Sequence, residues 1–322
     1  MAGARGMTGI LAVAALGAAL TVAPAWASSP GGNGRIAFAS AREGGGIFTV
    51  RPDGTALRRL TDGDDSQPAW SPDGRWLAFT HSSSGTERSG IYLVRSDGRR
   101  RHFLVAGEDA SWSPNGSRLV FTGQDAQGSD SLAIVRRDGT GAHVLGVAGT
   151  DPSWSPRGGS VAFVARTPET GVRDIYVLHL ADRTVTNLTH NRNDPDAELF
   201  ENASAPDWSP DGAEIAFSQD DGPVSECFDR LAIHTIRADG TGEVVRGNVV
   251  TSFLAFNPAW APAGGGRIVF GSRLETEGLP ECGAVFQDDL VISRPDGTAT
   301  DITAWSTLDE RDPAWRPIPR TR

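Results

Sequence analysis

From residue 34 onward, apolar residues come in short runs of four to six, separated by clusters of Gly, Asp and Pro. That pattern predicts many short β-strands and little helix. Six of the runs, IAF, LAF, LVF, VAF, IAF and IVF, end at Phe38, Phe79, Phe121, Phe163, Phe217 and Phe270. They lack polar alternation, as expected of strands buried on both faces. Ahead of five of them stands a tryptophan between turn residues, in PAWSPDG at Trp70, SWSPNG at Trp112, PSWSPRG at Trp154, PDWSPDG at Trp208 and PAWAPAG at Trp260. A sixth copy, PAWRP at Trp315, has no apolar run after it. The tryptophans are 42, 42, 54, 52 and 55 residues apart, so the chain is an internal repeat.

Within one repeat the order is a Trp strand, an Asp-Gly type turn, the Phe strand, a loop, a third strand, a second such turn and a fourth strand. Asp-Gly and Asn-Gly tolerate positive φ and close tight hairpins. Prolines stand two before and two after most of the tryptophans, for example Pro68 and Pro72 or Pro206 and Pro210. Positions four apart on a strand turn their N–H groups to the same side. Proline at both therefore requires an unpaired edge, which makes the Trp strand the inner edge of a propeller blade. Residues 34–61 supply three strands without a Trp strand, and residues 312–317 supply a Trp strand without successors. Joined, they complete a blade. The expectation is an all-β, six-bladed β-propeller with four antiparallel strands per blade, its ring closed by the C-terminal strand joining the N-terminal blade.

The P-x-W-S-P-D-G-x-x-I-A-F unit resembles the WD-repeat-like propeller of the TolB family, also seen in propellers attached to prolyl-oligopeptidase-type peptidases. The resemblance covers nearly the whole chain after its first residues. It implies a six-bladed exported propeller that docks other envelope proteins near its channel mouth. The α/β domain that precedes the propeller in TolB proper has no counterpart here, which leaves a Tol–Pal role open.

The first residues read as an export signal. Arg5 precedes the apolar GILAVAALGAALTVA, and Ala25-Trp26-Ala27 gives a small-x-small site for cleavage after Ala27. The apolar stretch is too short to favour a membrane span. The expected organisation is a signal peptide over 1–27, a linker over 28–33, the propeller over 34–317 and a tail over 318–322. The expected product is a periplasmic or extracellular protein that acts as a monomer. Composition narrows the partners. All 30 basic residues are arginine, 40 residues are acidic and the formal charge is −10, which argues against nucleic acid as the main partner.

Loops between the second and third strands, and between blades, share one face and are the long ones; a rigid scaffold carries function on such loops. They fall at 189–206, 218–230, 247–258 and 271–289. The same face is acidic. The position three before each tryptophan reads Gln67, Asp109, Asp151, Ala205, Asn257 and Asp312. An anionic channel mouth selects cationic peptides, protein patches or metal ions; solvated loop ends that cap turns would have the same composition. Partner-binding candidates are Asp109, Asp151, Asp194, Asp196, Glu198, Phe200, Phe253, Phe256, Asn257 and Asp312. Asn191, Asn193, Asp194, Asp196 and Glu198 offer oxygen ligands for Ca²⁺, though without the usual calcium-loop spacing. No other metal or cofactor is expected.

Cys227 and Cys282 fall in corresponding loops of consecutive repeats. In an oxidising compartment, that placement predicts a disulfide. The six histidines are scattered, and no Gly-x-Ser-x-Gly elbow occurs. Arg58, Arg59, Arg99, Arg100 and Arg101 cluster near outer strands, where charge protects an edge or binds an anionic polymer. The sequence thus points to a non-enzymatic scaffold that binds a protein or peptide through its acidic long-loop face. A small-ligand or carbohydrate site at the channel mouth, with a metal-assisted hydrolase or lyase activity, is the alternative.

Overall fold

In a computed structural model, the described residues are 32–168, 171–189, 202–225, 228–246, 252–274, 288–304 and 309–318. The fold is an all-β propeller of antiparallel strands. Four sheets have four strands each, and one sheet has eight. In the sheet that opens with Asp64–Trp70, the strands follow in chain order through Trp76–Ser82 and Gly90–Arg95 to His102–Val105. The Trp-bearing strand is an edge, as its prolines require.

The expectation of six separate blades is met at four. The remaining two repeats lie in one sheet, because Phe228–Arg237 and Ser252–Trp260 pair in parallel at Leu231 and Leu254. The C-terminal strand Glu310–Ile318 pairs with Gly32–Ser40, setting Trp315 opposite Ile36 and Ile318 opposite Gly32. Two of the expected long loops are largely strand. Glu214–Ser225 and Phe228–Arg237 continue their pairing to Ser225 opposite Phe228, and Ser252–Trp260 occupies most of the segment 247–258. Ser252–Trp260 carries the aromatic residues Phe253, Phe256 and Trp260, which favour a strand.

Local chemistry explains the turns. After Trp70, the Ser71 hydroxyl donates to Asp73 Oδ1 (2.6 Å) and accepts the Trp76 N–H (2.9 Å). Gly74 takes the φ of +63° that closes the hairpin. In the second kind of turn, Asp53 accepts both the hydroxyl (2.6 Å) and the N–H (2.9 Å) of Thr55. Asp138–Thr140, Asp239–Thr241 and Asp296–Thr298 repeat that arrangement. The threonine hydrogen bonds hold the Asp53 carboxyl below its ordinary range.

The core lies between sheets. Phe38, Phe79, Phe163, Phe217 and Phe270 are fully buried, and Trp70, Trp112, Trp208, Trp260 and Trp315 nearly so. Trp70 packs among Ala37, Ile47, Leu77 and Phe79, and so joins the sheet of Gly32–Ser40 to its own. The leader, Asn191, Asn193, Asp194, Asp196, Glu198, Phe200, Cys227, Cys282 and the tail beyond Ile318 lie outside the described residues. Among the described residues, no helix is long and apolar enough to cross a membrane.

Candidate functional site

The position three before each tryptophan has positive φ: 51° at Gln67, 53° at Asp109, 51° at Asp151, 50° at Ala205, 53° at Asn257 and 54° at Asp312. At each of these positions the strand carries one extra residue. Ser66 pairs with Thr80 and Ala69 with Ala78, so Gln67 and Pro68 together face Phe79. The same two-against-one step faces Phe121, Phe163, Phe217, Phe270 and Phe38 in the other copies. These are β-bulges, which bend an edge strand and re-aim its side chains. Asp and Asn accept the left-handed conformation more readily than most residues, which accounts for four of the six identities.

The bulges gather Gln67, Asp109, Asp151, Asn257 and Asp312 into a polar collar. On the side toward the Asp-Gly turns, a cavity of about 810 Å³ is lined by the tryptophans and prolines of the inner strands. On the other side, a mouth of about 740 Å³ is lined by Ser40, Asp65, Phe256, Asp288 and Arg311. Gln67, Asn257 and Asp312 border both spaces.

Burial and mutual repulsion keep the collar's carboxyls from ionising together. Burial pushes Asp109 up to about 9, and the charges of Asp151, Glu108 and Asp312 add to the rise. Burial also raises Asp151, which shares a hydrogen bond with Asp109. At neutral pH the pair therefore keeps a proton, held in the hydrogen bond between the Asp109 and Asp151 carboxyls. Burial raises Asp312 too, opposed by the Gln67 N–H (3.2 Å) and the Asn257 side-chain amide. Such an arrangement presents acceptors toward the axis and suits a ligand that brings hydrogen-bond donors or positive charge.

Four of the sequence candidates, Asp109, Asp151, Asn257 and Asp312, thus come together. Phe256 borders the mouth, with Gly271 leaving room for its ring; a Cβ there would lie 2.3 Å from Phe256 Cε2. Phe253 is in the strand Ser252–Trp260. Sequence reasoning missed Asp207, the residue before Trp208, where other repeats have Ala or Ser. Its carboxylate accepts the Trp260 N–H (2.8 Å) and the Ser153 hydroxyl (3.4 Å), tying three inner strands together. Burial raises it to about 6 despite those bonds. The break in the repeat consensus was the signal for it.

Two histidines, scattered in sequence, have partners. At the mouth, His81 Nδ1 lies 2.6 Å from Asp65 Oδ1 and Nε2 lies 3.3 Å from Glu87, which also pairs with Arg101 at 2.9 Å. Farther round, His234 Nδ1 meets Glu243 (2.8 Å) and Nε2 meets Asp221 (3.0 Å). Burial works against charge on His234, but the hydrogen bonds and charges of Asp221 and Glu243 outweigh it and hold the ring up at about 9. The folded value exceeds the unfolded one, so this stabilisation is full below about pH 6.5 and is lost as pH rises through 9. His234→Gln should therefore cost about 1–3 kcal/mol at pH 6 and clearly less at pH 10, as read from urea midpoints at the two pH values. An equal cost at both would contradict the assignment.

Residues 8–166 match the TolB β-propeller domain family. The chain is a TolB-like β-propeller. A 66-residue stretch, 20% of the chain, is 38% identical to Tol-Pal system protein TolB 1 of Novosphingobium aromaticivorans. That match spans 15% of the relative's length. Among solved structures, TolB from Acinetobacter baumannii is similar over 88% of this chain and 67% of its own, with TM-score 0.67 and 20% identity. Putative TolB from Agrobacterium tumefaciens covers 89% of this chain and 99% of its own, with TM-score 0.60 and 19% identity. At such identities the structural likeness carries the propeller fold.

Proposed function

We propose that this TolB-like propeller is an exported scaffold of the cell envelope that holds a protein or peptide at its acidic mouth. The eight-stranded sheet is read as two blades, giving six, with Glu310–Ile318 closing the ring. Residues 1–27 are read as the cleaved leader. The observation that carries the proposal is the collar of six bulges, in which Asn257 and Asp312 border both the mouth and the cavity beneath it while Asp109 and Asp151 line that cavity. The likeness to a Tol-Pal system protein supports an envelope partner. The tryptophan- and proline-lined cavity of about 810 Å³ favours, as a second reading, a small ligand or carbohydrate seated beyond the collar.

Capture from the native envelope tests the first reading. Asp62, Asp64 and Glu108 are exposed near the mouth. Reversing all three to Arg should remove a captured protein, whereas three Arg→Ser changes on the opposite end should retain it. Retention by the triple reversal would overturn the placement of the site. Capture of nothing by any form would favour the small-ligand reading, to be followed by thermal-shift screening.

A further inference from the structure

Antiparallel order places both kinds of Asp-Gly turn at one end of the sheets, opposite the mouth. In the three sheets built from residues 32–148 and 310–318, that end carries eleven arginines and four aspartates, although the whole chain is acidic. Arg51, Arg58, Arg75, Arg99, Arg118 and Arg136 are all exposed there. Among the described residues, the arginines in ion pairs are others: Arg42, Arg59, Arg101, Arg246 and Arg273. Asp53 and Asp138 are turned onto their own threonines, and Asp97 accepts the Arg99 N–H. Burial lowers the Arg35 pKa first, and the charges of Arg51, Arg58 and Arg316 lower it further.

A second observation falls on the same end. The large apolar residues exposed among the described residues are Leu57, Val144, Val185, Val244, Val245 and Ile318. Leu57 follows the Asp53-Gly54 turn, Val144, Val185 and Val244 begin or nearly begin outer strands after the equivalent turns, and Ile318 ends the last inner strand. Not one of the six lies at the mouth. Unpaired arginine beside scattered exposed aliphatics is the chemistry of a surface that meets lipid headgroups.

We infer that the turn end seats on an anionic phospholipid surface, with the arginines on the phosphates and Leu57 and Ile318 among the headgroups. Arginine matches phosphate in bidentate fashion and is less strongly hydrated than lysine. A soluble polyanion would use the charges but gain nothing from aliphatics spread over several sheets. Seated this way, the propeller turns its acidic mouth away from the bilayer.

Vesicle sedimentation of the purified protein tests this. Vesicles of phosphatidylcholine with about 30% phosphatidylglycerol should bring the protein down at low salt, pure phosphatidylcholine should not, and about 0.5 M salt should release it. The combined Arg51→Ser, Arg75→Ser and Arg99→Ser variant should lose about tenfold or more in vesicle affinity. These side chains make no hydrogen bond to the rest of the fold among the described residues, and a thermal melt checks that the variant is folded. Leu57→Ser with Ile318→Ser should weaken binding while leaving its salt dependence. Asp62→Ser with Asp64→Ser should leave binding intact. Equal sedimentation with neutral and anionic vesicles, or none with either, would overturn the inference. So would capture on a heparin matrix without vesicle binding, which would assign the face to an anionic polymer. Vesicle binding is read without any envelope partner, so its failure is separate from failure at the mouth.

Discussion

The Asp109→Asn variant is expected to melt well above the parent protein at pH 8 and at the same temperature near pH 4. Asp109 is held up at about 9 by burial and by the carboxylates of Asp151, Glu108 and Asp312, against an ordinary value of 3.8. The folded chain therefore keeps a proton that the unfolded chain gives up. Stability is intact below about pH 4 and declines as the pH climbs toward 9. Asparagine keeps a donor for Asp151 and removes the charge, so the decline should flatten. The difference at pH 8 should reach roughly 3 kcal/mol, or about 6–12 °C in Tm for a domain of this size. Scanning calorimetry from pH 4 to pH 9 measures it. Parallel pH profiles for parent and variant would show that Asp109 titrates as an ordinary surface carboxylate.

Arg42→Ala is the second large effect. Glu310 has no exposed side-chain surface, and its Oε1 accepts the Arg42 Nε (2.8 Å) and the Ser40 hydroxyl (3.4 Å). Arg42 and Ser40 flank the end of Gly32–Ser40, the strand on which Glu310–Ile318 pairs. Taking away the guanidinium leaves a buried carboxylate without its cation and should cost about 3–5 kcal/mol in a urea titration. Adding Glu310→Gln to the same chain should return most of that loss, because the amide can be buried without charge. A double variant no better than Arg42→Ala alone would mean that arginine packing, not charge, holds the strand.

Much of the architecture was legible in the chain. The Phe runs gave the buried second strand, and prolines on either side of tryptophan marked an inner edge that is unpaired in every Trp strand but Ser252–Trp260, which meets Leu231 at Leu254. Asp-Gly placed both hairpins. The collar was legible only as a column of polar residues, because a bulge needs two strands in register before its extra residue can be counted. Gln67-Pro68 against Phe79 states the rule only after the pairing is known. Lengthening of the hairpin at Ser225 and the union of two repeats at Leu231 and Leu254 were not legible, since both depend on how far neighbouring strands run past their turns. Arg42 and Glu310 are 268 residues apart and carry no local signature of their pairing.

The sheet shared by two repeats makes the molecule mechanically uneven. Elsewhere, neighbouring sheets meet through side chains, which can slip or tilt a little without breaking backbone bonds. Between Phe228–Arg237 and Ser252–Trp260 the backbone itself is paired, so those two repeats should open and close as one cooperative block. One sector stiffer than its neighbours would give the propeller one side that yields less than the other. A ligand gripped at the collar would then strain the side of Asp109 and Asp151 sooner than the side of Asn257.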